Sequence, residues 1–418
     1  MTAFHRADIL LPKLNDEQMT KWAVVACDQY TGEPEYWREV EGIVGENPSA
    51  LRLILPEAFL GDNDEGRIEQ INANMRGYLE KDLFAEYKNS FILTKRTQAD
   101  GRLRAGLVGA IDLEMYDYNK GSRSQVRATE ATVAARIPPR VKIRMNAPLE
   151  LPHIMILIDD PENTVIEPLL SKKLQRVYNF ELMQNGGHLE GFLIDGEEAE
   201  SVENSLEMLA QRLAKNENCP SENALVYAMG DGNHSLASAK ESYERKKREG
   251  SPDAELARYA LVEIVNLHSS ALEFEAIHRV IFNTDFDKMY KEMTEKLGLV
   301  KGENCETGQE FELFVNGKSE KFAITKPSSN LTVGSVQSFL DEFLAKNGGT
   351  IDYIHGEDTV KKLCERENAV GILLPSMKKS ELFPTVIKDG ALPRKTFSMG
   401  HAHDKRFYCE ARSISVGN

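Results

Sequence analysis

An α/β fold built on mixed sheets is what this chain predicts, and three observations carry the prediction. The first is the run Ala224-Leu-Val-Tyr-Ala-Met-Gly-Asp-Gly-Asn-His-Ser-Leu-Ala-Ser-Ala-Lys240. It reads as an apolar strand over 225–229, a turn bracketed by Gly230 and Gly232, and a helix continuing from Ser235 until Gly250 ends it. The second is the alternation of short apolar runs of buried-strand type, at 151–158 and 259–267, with a helical stripe of Val202, Leu206, Leu209 and Leu213. The third is Asn316-Gly317 between the apolar runs 311–315 and 321–325, a hairpin signal that makes part of the sheet antiparallel.

Taken in order, residues 34–44 and 65–83 suit helices, and 90–95 and 103–113 suit strands. The polar stretch 216–223, with Pro220, is a loop before the glycine-turn unit. After residue 267 comes the segment 268–282 with Glu275-Ala-Ile-His-Arg279. Val336, Phe339, Leu340 and Phe343 form a helical core stripe closed by Gly348-Gly349, and 351–355, 357–367 and 369–374 read as a βαβ unit. The division expected is a main α/β domain over 1–285, containing the basic segment and the glycine turn, and a smaller α+β portion over 286–418 that returns its last strand to the first.

The composition is that of a globular protein, and no apolar stretch approaches the ~20 residues that span a bilayer. The first residues have neither the apolar core nor the cleavage site of a signal peptide, so a cytoplasmic protein without membrane attachment is expected. Cys27, Cys219, Cys305, Cys364 and Cys409 are scattered and form no Cys-x-x-Cys pair, which points to reduced thiols. Cys364 falls on the apolar face of a helix, and Cys27 stands beside Asp28 in a candidate site loop. A net charge of −15 argues against a broad nucleic-acid or anionic-membrane surface, which Lys and Arg would have to line.

Local charge differs from the average. Between Lys120 and Arg144 the cations Lys120, Arg123, Arg127, Arg136, Arg140, Lys142 and Arg144 face the single acid Glu130. This is either an anion funnel or a solvated basic loop. The glycine turn has the same two readings: a helix N-terminus, with about half a positive charge, is a natural cradle for phosphate, while Asp or Asn before a helix is also an ordinary cap. His234 among small polar residues at the C-terminal end of a strand favours ligand chemistry. His401 and His403 have the i, i+2 spacing of one strand face, so they are a candidate metal pair or, with Lys405 and Arg406, part of the anion site; His188 follows Gly186-Gly187 in a turn.

Several segments together resemble the DUF1015 family: Val126-Arg-Ala-Thr-Glu-Ala-Thr132, Gly230-Asp-Gly-Asn-His-Ser235, Ala276-Ile-His-Arg279 and the tail Leu392-Pro-Arg-Lys-Thr-Phe397. The family's Asp-Gly-His-His-Arg-like turn is similar to that of the ParB/sulfiredoxin-like nucleotide-binding fold, which includes free-serine kinases. The resemblance implies a core of that fold with phosphates held at Asp231, Gly232, Asn233, His234 and Ser235, and an activating glutamate at Glu130. The chain departs from the pattern at Asn233 and Ser235, where the family has His and Arg, and at Ala128, where it has His. Losing the arginine fork moves the charge requirement to Arg127, Arg140 or Arg279.

Phosphoryl transfer needs positioning and charge neutralisation, for which a helix N-terminus, a few cations and one Mg²⁺ suffice. The expected roles are backbone contacts from Gly232 and Asn233, a hydroxyl contact from Ser235, Mg²⁺ binding or helix capping by Asp231, donation to the transferring group by His234, and proton acceptance by Glu130. Glu130 has the alternative role of ion-pair partner to Arg127, Arg136 or Arg140. The expected activity is transfer from ATP or ADP to a small hydroxylated metabolite such as a free hydroxy amino acid. The alternatives are a nucleotide- or phosphometabolite-binding regulator without turnover and, against the charge balance, a nucleic-acid-associated ParB-like protein. A homo-oligomer is compatible with all three.

Overall fold

The computed structural model describes residues 2–61, 63–131, 137–302, 306–315, 317–365 and 369–416. Arg136, Cys305 and Asn316, named above, lie outside the described residues, as does Thr132. The chain forms two compact units, Met1–Leu272 with His401–Asn418, and Glu273–Gly400. The strand that begins after residue 273 thus lies in the second unit rather than with the first 285 residues.

The first unit is organised by an eleven-stranded mixed sheet. Its long members are β1 (Phe84–Thr97) and β2 (Leu103–Asp112), an antiparallel pair. They are followed by β3 (Val126–Arg127), β4 (Met155–Ile158), β5 (Gln175–Leu182), β6 (Gly187–Ile194), β7 (Tyr227–Asp231) and β8 (Tyr259–Asn266). In space the order is β5-β6-β1-β2-β8-β4-β7-β3, then Tyr116–Asp117, with Ala7–Pro12 added to β1 and Phe4–His5 to β2.

Alternation of side chains sends successive residues to opposite faces, and both faces are apolar. Ile92, Val108 and Leu261 enter one core with Trp22, Trp37 and Met75, while Phe91, Leu93, Leu107 and Val262 enter the other. Helices Asp16–Trp22, Pro34–Val44 and Asp64–Glu80 supply the first core. The second is closed by α2 (Gly196–Glu217), through Val202, Leu206 and Leu209, and by α3 (Asn233–Arg248), through Leu236, Ala239 and Tyr243. A sheet covered on both faces is the α/β arrangement the apolar runs predict.

Two parts of this unit differ from the sequence expectation. The β5–β6 hairpin was not foreseen, and the basic segment, read as a loop or funnel, contains the helix α1 (Ile137–Met145). Pro138 and Pro139 stand in its first turn, where the missing N–H groups cost nothing. Val141 of α1 packs against Ala237 of α3.

The second unit carries a seven-stranded sheet. Its members include β9 (Phe274–Phe282), β10 (Glu310–Val315), β11 (Lys318–Ile324), β12 (Thr350–His355) and β13 (Ala369–Leu373). Val315 pairs with Lys318, so the expected hairpin forms around Gly317, whose φ is +74°. β12 and β13 flank β9 and are both antiparallel to it, hence parallel to each other; the predicted βαβ unit exists with a third strand inserted. Cys364 packs with Val360, Val280 and Leu373, as its helical position implied. Among the described residues no helix is long and apolar enough to cross a membrane.

Candidate functional site

The glycine turn forms as its residues dictate. β7 pairs in parallel with β3 and antiparallel with β4, and the β4 register shifts between Met229 and Asp231, a bulge at the strand's exit. Gly232 follows with φ +82° and ψ 26° and caps α3 without any side-chain hydrogen bond. A Cβ there would meet Ile154 Cα and Cγ1 at 3.1 Å, so both the dihedral and the close approach require glycine.

Two acceptor atoms at this turn are buried without hydrogen-bond partners, Asp231 Oδ2 and Asn233 Oδ1. Lys405 Nζ lies 3.3 Å from Asp231 Oδ2, within ion-pair range but not directed as a hydrogen bond. The other carboxylate oxygen accepts from Gly232 N at 3.1 Å. His234 is half-buried, and its carbonyl accepts from Ser238 Oγ. Thr129 Oγ1 donates to Met229 O of β7 at 2.7 Å, and the next residue, Glu130, is half-buried.

Ser235 faces another element. Its hydroxyl lies 3.2 Å from His153 Nε2, and His153 Nδ1 lies 2.7 Å from the Tyr408 hydroxyl. Asp28 Oδ2 is 3.9 Å from the same imidazole. Burial works against the Asp28 charge, but His153, Gln29 and Lys405 together hold its pKa below the usual carboxylate range. Ser235, His153, Tyr408 and Cys27 line a cavity of about 140 Å³ with Arg140 and Arg144 of α1. Cys27 has its thiol pushed up to about 12, by burial first and by Asp28 second, so it stays protonated at neutral pH and is no nucleophile.

The remaining predicted residues are placed differently. Arg140 borders the cavity but is ion-paired to Glu57. Arg127 is buried on β3 and donates to the carbonyls of Ser124 and Asn223, at 2.9 and 2.5 Å, clasping the strand ends. Arg279 is fully buried in the second unit, where it donates to Gln337 Oε1 and to the Arg394 carbonyl. Both guanidinium groups are spent on local acceptors, as a buried arginine's donors must be. Arg406 is likewise internal, bound to Glu263 Oε2 at 2.6 Å, Glu410 Oε2 at 2.5 Å and Pro152 O at 3.2 Å.

His401 and His403 are not on a strand. Residues Ala402–Asp404 form a 3₁₀ turn, and the two rings stack with centroids 5.3 Å apart. His188 bridges Glu181 and Asn179 across the β5–β6 hairpin. Among the described residues no group of three or more His, Cys, Asp and Glu could hold a metal ion.

His153 and Tyr408 were missed in the sequence, and Arg144 was read there only as one cation of the basic segment. His153 was absorbed into the apolar run 151–158, although a histidine after a proline just before a buried strand was a readable interruption.

A helix-covered mixed sheet, with a glycine-capped helix at a bulged strand end and a small cavity beside it, defines an α/β protein. The chain belongs to the family described as "Protein of unknown function (DUF1015)", whose match covers residues 12–343. Comparison with curated proteins gives no match. Among solved structures, the chain is similar to a free serine kinase variant in complex with AMP, at 12% identity and a TM-score of 0.39, over 73% of this chain and 91% of that one. It is similar also to a conserved hypothetical protein from Pyrococcus furiosus, at 13% and 0.36, over 73% and 93%. A third is C-terminally truncated SbnI from Staphylococcus aureus, at 9% and 0.37, over 72% and 85%.

Proposed function

We propose that the protein is a nucleotide-dependent phosphotransferase acting on a small hydroxylated metabolite. The observation that carries this reading is the pair of buried acceptors without hydrogen bonds, Asp231 Oδ2 and Asn233 Oδ1, at the head of a helix whose cap has no side chain. Asp231 Oδ2 has the Lys405 ammonium at 3.3 Å, so the atom left without any partner is Asn233 Oδ1, at a cost of about 1–3 kcal/mol that a bound group would offset. The backbone N–H groups at the start of α3 and the helix dipole suit phosphate, and Lys405 adds a cation within 3.3 Å of Asp231. The two oxygens suit Mg²⁺, which takes one or two protein oxygens and completes its shell with phosphate and water. When bound, the ion would neutralise phosphate charge. Glu130, which follows the Thr129 that is hydrogen-bonded to β7, accepts the proton of the acceptor hydroxyl, and His234 donates to the phosphoryl oxygens.

Phosphorus NMR with Mg²⁺, ATP or ADP and a panel of hydroxy acids and polyols tests this. A phosphoester signal that depends on one acceptor is expected, reduced on the order of 10²–10⁴-fold in rate by Glu130→Gln. One observation favours a second reading, a nucleotide-binding regulator: Asn233 and Ser235 replace the family's His and Arg, and Arg127 is clasped to backbone carbonyls elsewhere. Nucleotide binding without product under every condition would establish it.

A further inference from the structure

We propose that the cavity between α1 and the first turn of α3 binds a small monocarboxylate with a short apolar side chain. Its assignment as the pocket of the acceptor rests on the phosphotransferase reading. The size comes first: about 140 Å³ is close to the roughly 150 Å³ of an engineered cavity that accepts one benzene, and is too small for a nucleotide. The ligand that fits is therefore distinct from the one proposed for the glycine turn.

The lining divides into two chemistries. Leu53, Leu55, Met75 and Leu149 make an apolar wall, which would take hydrocarbon. Opposite in character are Arg144, Arg140, His153 and Ser235. Arg144 gives one guanidinium nitrogen to Glu150, while its Nε is buried with no hydrogen-bond partner. Glu150, the only carboxylate among the lining residues, is paired with Arg412 as well as Arg144, so its charge is already met.

The histidine adds a second polar group. Burial raises the Tyr408 pKa well above the ordinary phenol value, and the hydroxyl stays protonated. Its oxygen lies 2.7 Å from His153 Nδ1, and the other ring nitrogen, Nε2, is the atom next to Ser235 Oγ at the cavity. A carboxylate accepting from Arg144 Nε would satisfy that donor, and its hydrocarbon would meet the leucine and methionine wall. Neither a second phosphate nor a dicarboxylate suits a space with this much apolar lining.

Calorimetric titration of the full chain with 2-hydroxy-3-methylbutanoate, its neutral amide and AMP decides the matter. The acid is expected to bind at least tenfold more tightly than the amide, and Arg144→Gln to remove that difference. Equal binding of acid and amide, or binding of neither, overturns the proposal on the native chain alone, whether or not the variant folds. AMP binding without acid binding removes the pocket and leaves the phosphotransferase reading standing. Acid binding without AMP binding keeps the pocket and removes that reading.

Discussion

Replacing Arg406 with alanine is expected to lower the unfolding free energy by about 3–5 kcal/mol, the cost of breaking a buried ion pair from one side. The side chain is buried, as are Glu263 and Glu410, and each carboxylate takes one of its terminal nitrogens. Without it Glu263 keeps Thr94 Oγ1 at 2.9 Å and the charge of Arg104, and Glu410 keeps the Tyr178 hydroxyl at 2.6 Å, but each loses its ion-pair partner. Urea titration at pH 7 reads the loss; a change under 1 kcal/mol would show that the cluster is not what holds this part of the sheet. The carbonyl of Pro152, which Arg406 also holds, precedes His153, so the variant should disturb the cavity as well.

The pH dependence of that loss has a definite sign. Burial works to raise the pKa of Glu263, but the charges of Arg406 and Arg104 outweigh it and hold the carboxyl below its ordinary value. A depressed folded pKa means that the stabilisation is complete above the unfolded value of about 4.3 and is lost as pH falls through the folded value. In Arg406→Ala, Glu263 loses the larger of the two charges that oppose burial, it protonates more readily, and the deficit should shrink between pH 7 and pH 4.

Gly232→Val is expected to cost about 1–3 kcal/mol in stability and to weaken nucleotide binding at least tenfold. The residue holds φ at +82°, which a β-branched side chain resists, and its Cβ would stand 3.1 Å from Ile154 Cα, an atom of the backbone that β4 continues. Relief requires either the turn or the 152–154 segment to move, and both border the site. Thermal unfolding measures the first effect and titration with ADP the second. Loss of stability with unchanged nucleotide affinity would mean that the turn is structural and holds no phosphate.

Much of this molecule was readable from residue order alone, because the signals involved are local. Apolar runs of strand length, the Asn316-Gly317 turn and the stripe of Val202, Leu206 and Leu209 each report a backbone preference or periodicity decided within a few residues. The same holds for the turn at Gly230 to Ser235, where glycine's access to positive φ and the start of a helix coincide. What lay beyond reach was the use each arginine would find. Arg127, Arg279 and Arg406 look alike in the sequence as anion binders, yet all three are buried and bound to internal carbonyls or carboxylates.

The cavity depended on separation in the chain. His153 meets Ser235 across 82 residues and Tyr408 across 255. No periodicity links such positions, and only the packing of α1, α3 and the returning tail on one sheet brings their side chains within hydrogen-bond reach. Sequence determined the glycine turn because its constraint is a single residue's dihedral freedom. Tertiary structure decided what faces that turn, because a buried charge takes whichever partner the fold places beside it.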